Sequence, residues 1–170
     1  MWFRSDLRLD DNPALTNALS HCEEVIGVYI FSDTQWNLHN ESNIKLEFLI
    51  NNLIDLEQSL GRLNIPLIAI NSKTFNALPG DLHSFLKQHQ IHHIFWNNEF
   101  GFNESQRDLR VSKVMDQEGI SVSSHHDQVI YEPGFLKTGQ GKPFSVFTPF
   151  KRRWVENFSM DFLDIQTPTE

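Results

Sequence analysis

Five short apolar runs, rich in β-branched and aromatic residues, alternate along the chain with stretches in which apolar side chains recur at helical spacing. Strand and helix taking turns in this way point to a parallel sheet with helices on both faces and right-handed crossovers. The runs are the opening Trp2-Phe3, then Glu24 to Phe31, Pro66 to Ile70, Ile91 to Trp96 and Ile120 to Ser123. The second is nearly continuous in apolar residues and ends at Ser32-Asp33, the pattern of a strand buried on both sides.

The intervening helices carry their own start and stop signals. Asn12 can cap a helix from Pro13 to Ser20, because proline's fixed φ suits a first turn where its missing N–H has no partner. From about Asn43 to Leu60, the residues Leu46, Leu49, Ile50, Leu53, Leu56 and Leu60 form one stripe, with Gly61 as the stop. Pro79-Gly80 reads as a turn before a helix over Asp81 to Gln88. Asn103 and Gln106 have the form of a capping box opening a helix that runs to about Glu118, turns Leu109, Val111, Val114 and Met115 inward and stops at Gly119. Gln35 to Ser42 reads as a polar loop. The expected architecture is Rossmann-like, five parallel strands in the order 3-2-1-4-5.

From Gln128 onward the alternation stops. Tyr131 to Gly134 is a turn, Thr138 to Pro143 a glycine-rich bend, and Phe144 to Trp154 leads into a short helix. Residues 1–158 read as one domain and 159–170 as a linker or tail. The 170 residues suffice for one well-filled core, to which fourteen phenylalanines and four tryptophans contribute.

Twenty-two acidic against fourteen basic side chains give a net charge of −8, so this domain repels a phosphate backbone. Cys22, the single cysteine, cannot form an intrachain disulfide. With no leader and no long apolar span in view, a reducing cytoplasmic location is expected.

Three chemistries are open to these residues. Phosphate cradling is disfavoured, since G-x-G-x-x-G spacing is missing from the first strand–helix loop and G-x-x-x-x-G-K-[ST] from the whole chain. A metal site is rejected, because His92-His93 and His125-His126 are adjacent on strands or strand ends and point to opposite faces. The third is a flat organic ligand held where His39, Asn103 and Glu104 meet. If strand one lies between strands two and four, both loops flank one crevice at the switch point. A carboxylate there can accept the paired donors of a pterin ring. Spacing alone favours a cap, a dipole partner and an ordinary loop histidine.

The first loop, Arg4, Asp6, Arg8, Asp10 and Asp11, reads on charge alone as an ion-pair network fixing the loop. In order, however, Trp2-Phe3-Arg4, Asp6-Leu7-Arg8-Leu9 and Asp11-Asn12-Pro13-Ala14-Leu15 resemble the opening signature of the DNA photolyase and cryptochrome family. Thr138-Gly139, Gly141, Pro143-Phe144 and Val146-Phe147-Thr148-Pro149-Phe150 resemble the segment that closes that family's antenna domain.

The resemblance covers essentially the whole chain and implies the N-terminal light-harvesting domain of a deoxyribodipyrimidine photolyase that repairs ultraviolet-induced pyrimidine dimers. It implies a methenyltetrahydrofolate antenna contacted by His39, Asn103 and Glu104, matched through Trp36-x-x-His39-Asn40 and Phe102-Asn103-Glu104, with FMN or deazaflavin as alternatives. FAD and the DNA-binding surface would belong to a helical domain absent from this chain. The chain alone would then be inactive and monomeric, without a membrane partner, and would meet damaged DNA only through the full enzyme. A cryptochrome-type signalling domain is the alternative. Relatives usually carry several apolar residues before the tryptophan, so the first strand is expected to be short here. Lys151-Arg152-Arg153 is expected to be a solvated helix face or a contact with the absent domain.

Overall fold

The structure, a computed structural model, describes residues 1–38 and 40–163. In chain order its elements are β1 (Trp2–Phe3), α1 (Pro13–His21), β2 (Gly27–Phe31), α2 (Asp33–Leu38), α3 (Asn43–Gly61), β3 (Leu67–Asn71), α4 (Leu78–Gln88), β4 (His93–Asn97), α5 (Phe102–Gln117), β5 (Ser121–His125) and α6 (Phe147–Asn157). A 3-10 turn, Met160–Leu163, follows.

All strand pairings are parallel. β1 pairs with β2 (Trp2 opposite Val28), β2 with β3 (Val28 opposite Ile68), and β4 with β5 (Ile94 opposite Val122). The period-two alternation of side chains then sorts the core into two layers. Phe3, Tyr29 and Phe95 face one way and pack with Leu15 and Ala18 of α1 and Leu53, Leu56 and Leu60 of α3. Trp2, Val28, Ile94 and Trp96 face the other way, against Leu82, Phe85 and Leu86 of α4 and Val111 and Met115 of α5. Helices therefore cover both faces, as the alternation implies.

One expectation is met only in part. The ladder is not a single five-stranded run: hydrogen bonds join β3, β2 and β1, and separately β4 and β5. β1 has two residues, and immediately after it the Arg4 N–H donates to Asp6 Oδ1 at 2.7 Å, which turns the backbone out of strand geometry. Side chains span the gap instead. Trp2 meets Trp96 edge to face at 5.5 Å. From the end of β4, Asn97 donates to Asp6 Oδ2 at 2.6 Å and Asn12 Oδ1 at 2.7 Å, and its Oδ1 accepts from the Ala14 N–H at 3.1 Å.

Local signals explain most boundaries. Asn12 Oδ1 caps α1 by accepting from the Leu15 N–H at 3.1 Å. Ser42 caps α3 through Lys45 N–H at 3.3 Å. Gly119, at φ +71°, ends α5 in a Schellman motif with Ile120 N–H on Met115 O at 2.9 Å.

Elsewhere the structure corrects the sequence. Gly61 is the last helical residue of α3 and not its stop; the left-handed position falls on Asn64, φ +57°. Pro79-Gly80 lies inside α4, because proline fits the first turn. The polar stretch after β2 contains a helix, α2. Ile50 and Leu109, expected inward, are exposed at 47% and 64%, one step off the stripes that face the sheet.

After β5 the chain crosses the surface in turns. The Thr138 to Lys142 bend is closed by the Thr138 N–H on Lys142 O and the Gly141 N–H on Thr138 O, both at 2.8 Å. Tyr131 stacks on Phe135 at 5.3 Å and meets Trp154 and Phe162 edge-on, which docks α6.

Candidate functional site

The C-terminal ends of β1, β2 and β4 open into a cleft of about 680 Å³. Open α/β sheets place ligands beyond such strand ends, and the volume falls in the range of small-molecule sites. One wall comes from α2 and the start of α3, with Gln35, Trp36 and Lys45; the facing wall is the first turn of α5, with Asn103 and Glu104. Ser32 follows β2 and accepts the Trp36 N–H on its carbonyl at 3.0 Å, opening α2 directly at the cleft. Trp36 is held edge-on against Phe31 at 5.5 Å.

Of the residues assigned from sequence, Asn103 and Glu104 lie on this wall, and His39 is outside the described residues. Asn103 does not cap its helix. The N-cap is Gly101, which leaves Asn103 in the first turn and Glu104 at the third helical position. The reason is local: Gly101 takes the extended cap conformation, φ −61° and ψ 148°, one residue before Phe102. Among the described residues, no hydrogen bond or ion pair holds the Glu104 carboxylate.

Beneath the cleft lies a charged cluster that sequence reasoning did not assemble. Arg4 Nη1 donates to Asp108 Oδ2 at 2.6 Å, and Arg107 donates to Asp108 Oδ1 and Glu99 Oε2, each at 2.9 Å. Ser5 Oγ donates to Glu99 Oε1 at 2.7 Å. Both guanidinium groups also lie over the Trp2 ring, at 5.0 Å for Arg4 and 4.9 Å for Arg107. The expectation that first-loop charges pair with one another is met only in part: Arg8 donates to Asp11 O within the loop at 2.6 Å, but it also bonds Asp127 beyond β5, and Arg4 reaches Asp108 on α5. A signal for Arg107 was available, since it stands four and eight residues before Val111 and Met115 on the stripe of α5 that faces the sheet.

Burial sets the electrostatics. It lowers the Arg4 guanidinium from its usual range, and Asp108 opposes that shift. Glu99 is penalised by burial, yet Arg4 and Arg107 together hold its carboxyl below the ordinary carboxylate value. Tyr29, buried with Glu99 nearby, is pushed up to about 12 and stays a neutral phenol. Two cations and two anions compensate one another, so the cluster is a rigid polar floor and not a source of mobile protons. Chemically, the cleft offers an aromatic side wall, a Lys45–Glu41 ion pair at 2.7 Å and the Glu104 carboxylate as an acceptor at its rim. Among the described residues, no group of three or more His, Cys, Asp or Glu converges as metal ligands.

The DNA photolyase family model matches residues 1–169. The deoxyribodipyrimidine photo-lyase of Vibrio cholerae is 35% identical over 158 residues, which is 93% of this chain and 34% of that protein. Two solved structures share the fold. A bacterial class III photolyase from Agrobacterium tumefaciens has a TM-score of 0.77 at 27% identity, with 98% of this chain and 33% of that one covered. An archaeal photolyase from Sulfolobus tokodaii, solved with two FAD molecules, has a TM-score of 0.79 at 26% identity, with 98% of this chain and 36% of that one covered. The chain thus spans about a third of the length of these relatives.

Proposed function

The chain belongs to the DNA photolyase family, and from that premise we propose that it is the antenna domain of an enzyme that repairs pyrimidine dimers in ultraviolet-damaged DNA. The observation that carries this reading is the meeting of two segments distant in sequence, Gln35-Trp36 of α2 and Asn103-Glu104 of α5, across one cleft at the strand ends. We read the two hydrogen-bonded ladders as one layer in the order β3-β2-β1-β4-β5, which sets that cleft at the switch point.

Methenyltetrahydrofolate is the occupant the residues suit best. Glu104 presents a carboxylate that two donors of a pterin edge can share, Asn103 adds an amide beside it, Trp36 supplies an aromatic wall, and His39 follows Trp36 by three positions in the sequence. A flavin is the alternative, given the two FAD molecules of the Sulfolobus relative. When bound, such an antenna absorbs near-ultraviolet or blue light and passes excitation to reduced FAD. This chain's residues bind and orient it, keep water from one face of the ring, and fix the charges beneath it. Residues 1–158 form the domain, and 159–170 lead toward a helical FAD-binding domain in cis.

With a net charge of −8, contact with DNA falls to that second domain. The protein is expected to be monomeric and cytoplasmic; no described helix is long and apolar enough to cross a membrane. A dimer-repair assay on the full-length protein tests the reading. Loss of dimers under blue light and none in the dark is expected, whereas a flavin-loaded protein that leaves dimers intact in the light would point to signalling.

A further inference from the structure

We infer that Gly101 is a positioning residue for the Glu104 carboxylate, and that the missing side chain at position 101 decides where the acceptor at the cleft rim stands. The backbone does not demand glycine here. At φ −61° and ψ 148°, any residue is tolerated, and an N-cap ordinarily favours Ser, Thr, Asp or Asn. What a side chain here would meet is the flexible end of Glu104, which would have to move aside. A β-carbon on residue 101 would overlap Glu104 Oε2 and lie 2.9 Å from its Cδ. The open space on Gly101 is therefore occupied by the carboxylate itself.

The helix explains the geometry. Glu104 is the third residue of α5, and a side chain at that position reaches back over the first turn toward the cap residue. The Ser105 N–H donates to Gly101 O at 2.9 Å, so the turn beneath is closed and fixed. Negative charge at this end is favoured by the helix dipole. The carboxylate thus folds back into the space a β-carbon of residue 101 would take, with no competing partner among the described residues. A β-carbon at position 101 would drive it off.

This inference rests on the reading that Glu104 receives the ligand's donors, and its test separates the two. Four full-length proteins are compared: wild type, Gly101→Ala, Glu104→Gln and the double variant. Melting temperatures without folate give a cycle that cancels the additive effect of alanine at a cap. Glu104→Gln is expected to lower the midpoint when Gly101 is intact and to have a smaller effect in the Gly101→Ala background; additive shifts would overturn the positioning role. Methenyltetrahydrofolate affinity, read by fluorescence titration, is expected to fall about tenfold or more in each single variant and no further in the double. Affinity lost in Glu104→Gln alone would also overturn the positioning role. Non-additive melting with affinity unchanged in every variant would uphold it and remove Glu104 from the ligand site.

Discussion

Arg4 and Asp108, 104 residues apart in sequence, meet at 2.6 Å with both side chains largely buried. This pair ties the loop after β1 to the helix that carries Asn103 and Glu104, so it holds the floor of the cleft against one wall. Asp108→Ala would leave Arg4 and Arg107 sharing Glu99 alone in a buried site, a loss of about 3 kcal/mol. Replacing both partners, Arg4→Met with Asp108→Leu, is expected to restore much of that stability because no charge is then stranded. Urea denaturation of the two variants measures the difference.

Asn97 performs for the strand gap what a ladder would otherwise do. Its amide is only 3% exposed and is shared among Asp6, Asn12 and the Ala14 N–H. Asn97→Leu is expected to cost about 3 kcal/mol, since it strands several buried polar groups at once. Asn97→Asp should be worse at pH 7 than at pH 5: it sets a second carboxylate against Asp6, whose own pKa burial already raises, and protonating either one returns a donor. Denaturation at the two pH values checks the sign.

In a chain whose first residue is Met1, the N-terminal amine makes stability depend on pH. It is buried beside β2, donates to Ile26 O at 2.8 Å, and is lowered by that burial from 8.0 to about 5. The unfolded chain takes up a proton below pH 8 that the folded chain refuses until about pH 5, so stability falls as pH drops through that window, by about 4 kcal/mol in full. His93 and His125, also lowered by burial, add to the slope only below about 6.5. A formylated N-terminus, which cannot titrate, is expected to flatten the slope between pH 8 and 6.5; an unchanged slope there would exclude the amine as its source.

The sequence carried the alternation of elements because long apolar runs and helix stripes are periodic, and periodicity survives without tertiary information. Asn12 and Gly119 were legible for a related reason, as their roles depend on neighbours three to five residues away. Glu104 was placed on the cleft by its position after β4, whereas the cap fell to Gly101 because two overlapping signals competed within three residues. The polar floor was hidden for a different reason. Arg4, Glu99, Arg107 and Asp108 come from three segments, and local charge patterns cannot say which distant partner each will find. α2 escaped notice because its six residues bury no side chain and show no stripe.

The absorption spectrum of the purified full-length protein tests the antenna reading most directly, compared between wild type and Glu104→Ala with FAD bound in both. A near-ultraviolet folate band present in the wild type and weakened in the variant, with the flavin bands unchanged, is the predicted result. A wild-type protein reconstituted with methenyltetrahydrofolate that shows no such band, or a band of equal strength in both proteins, would contradict the assignment of the cleft.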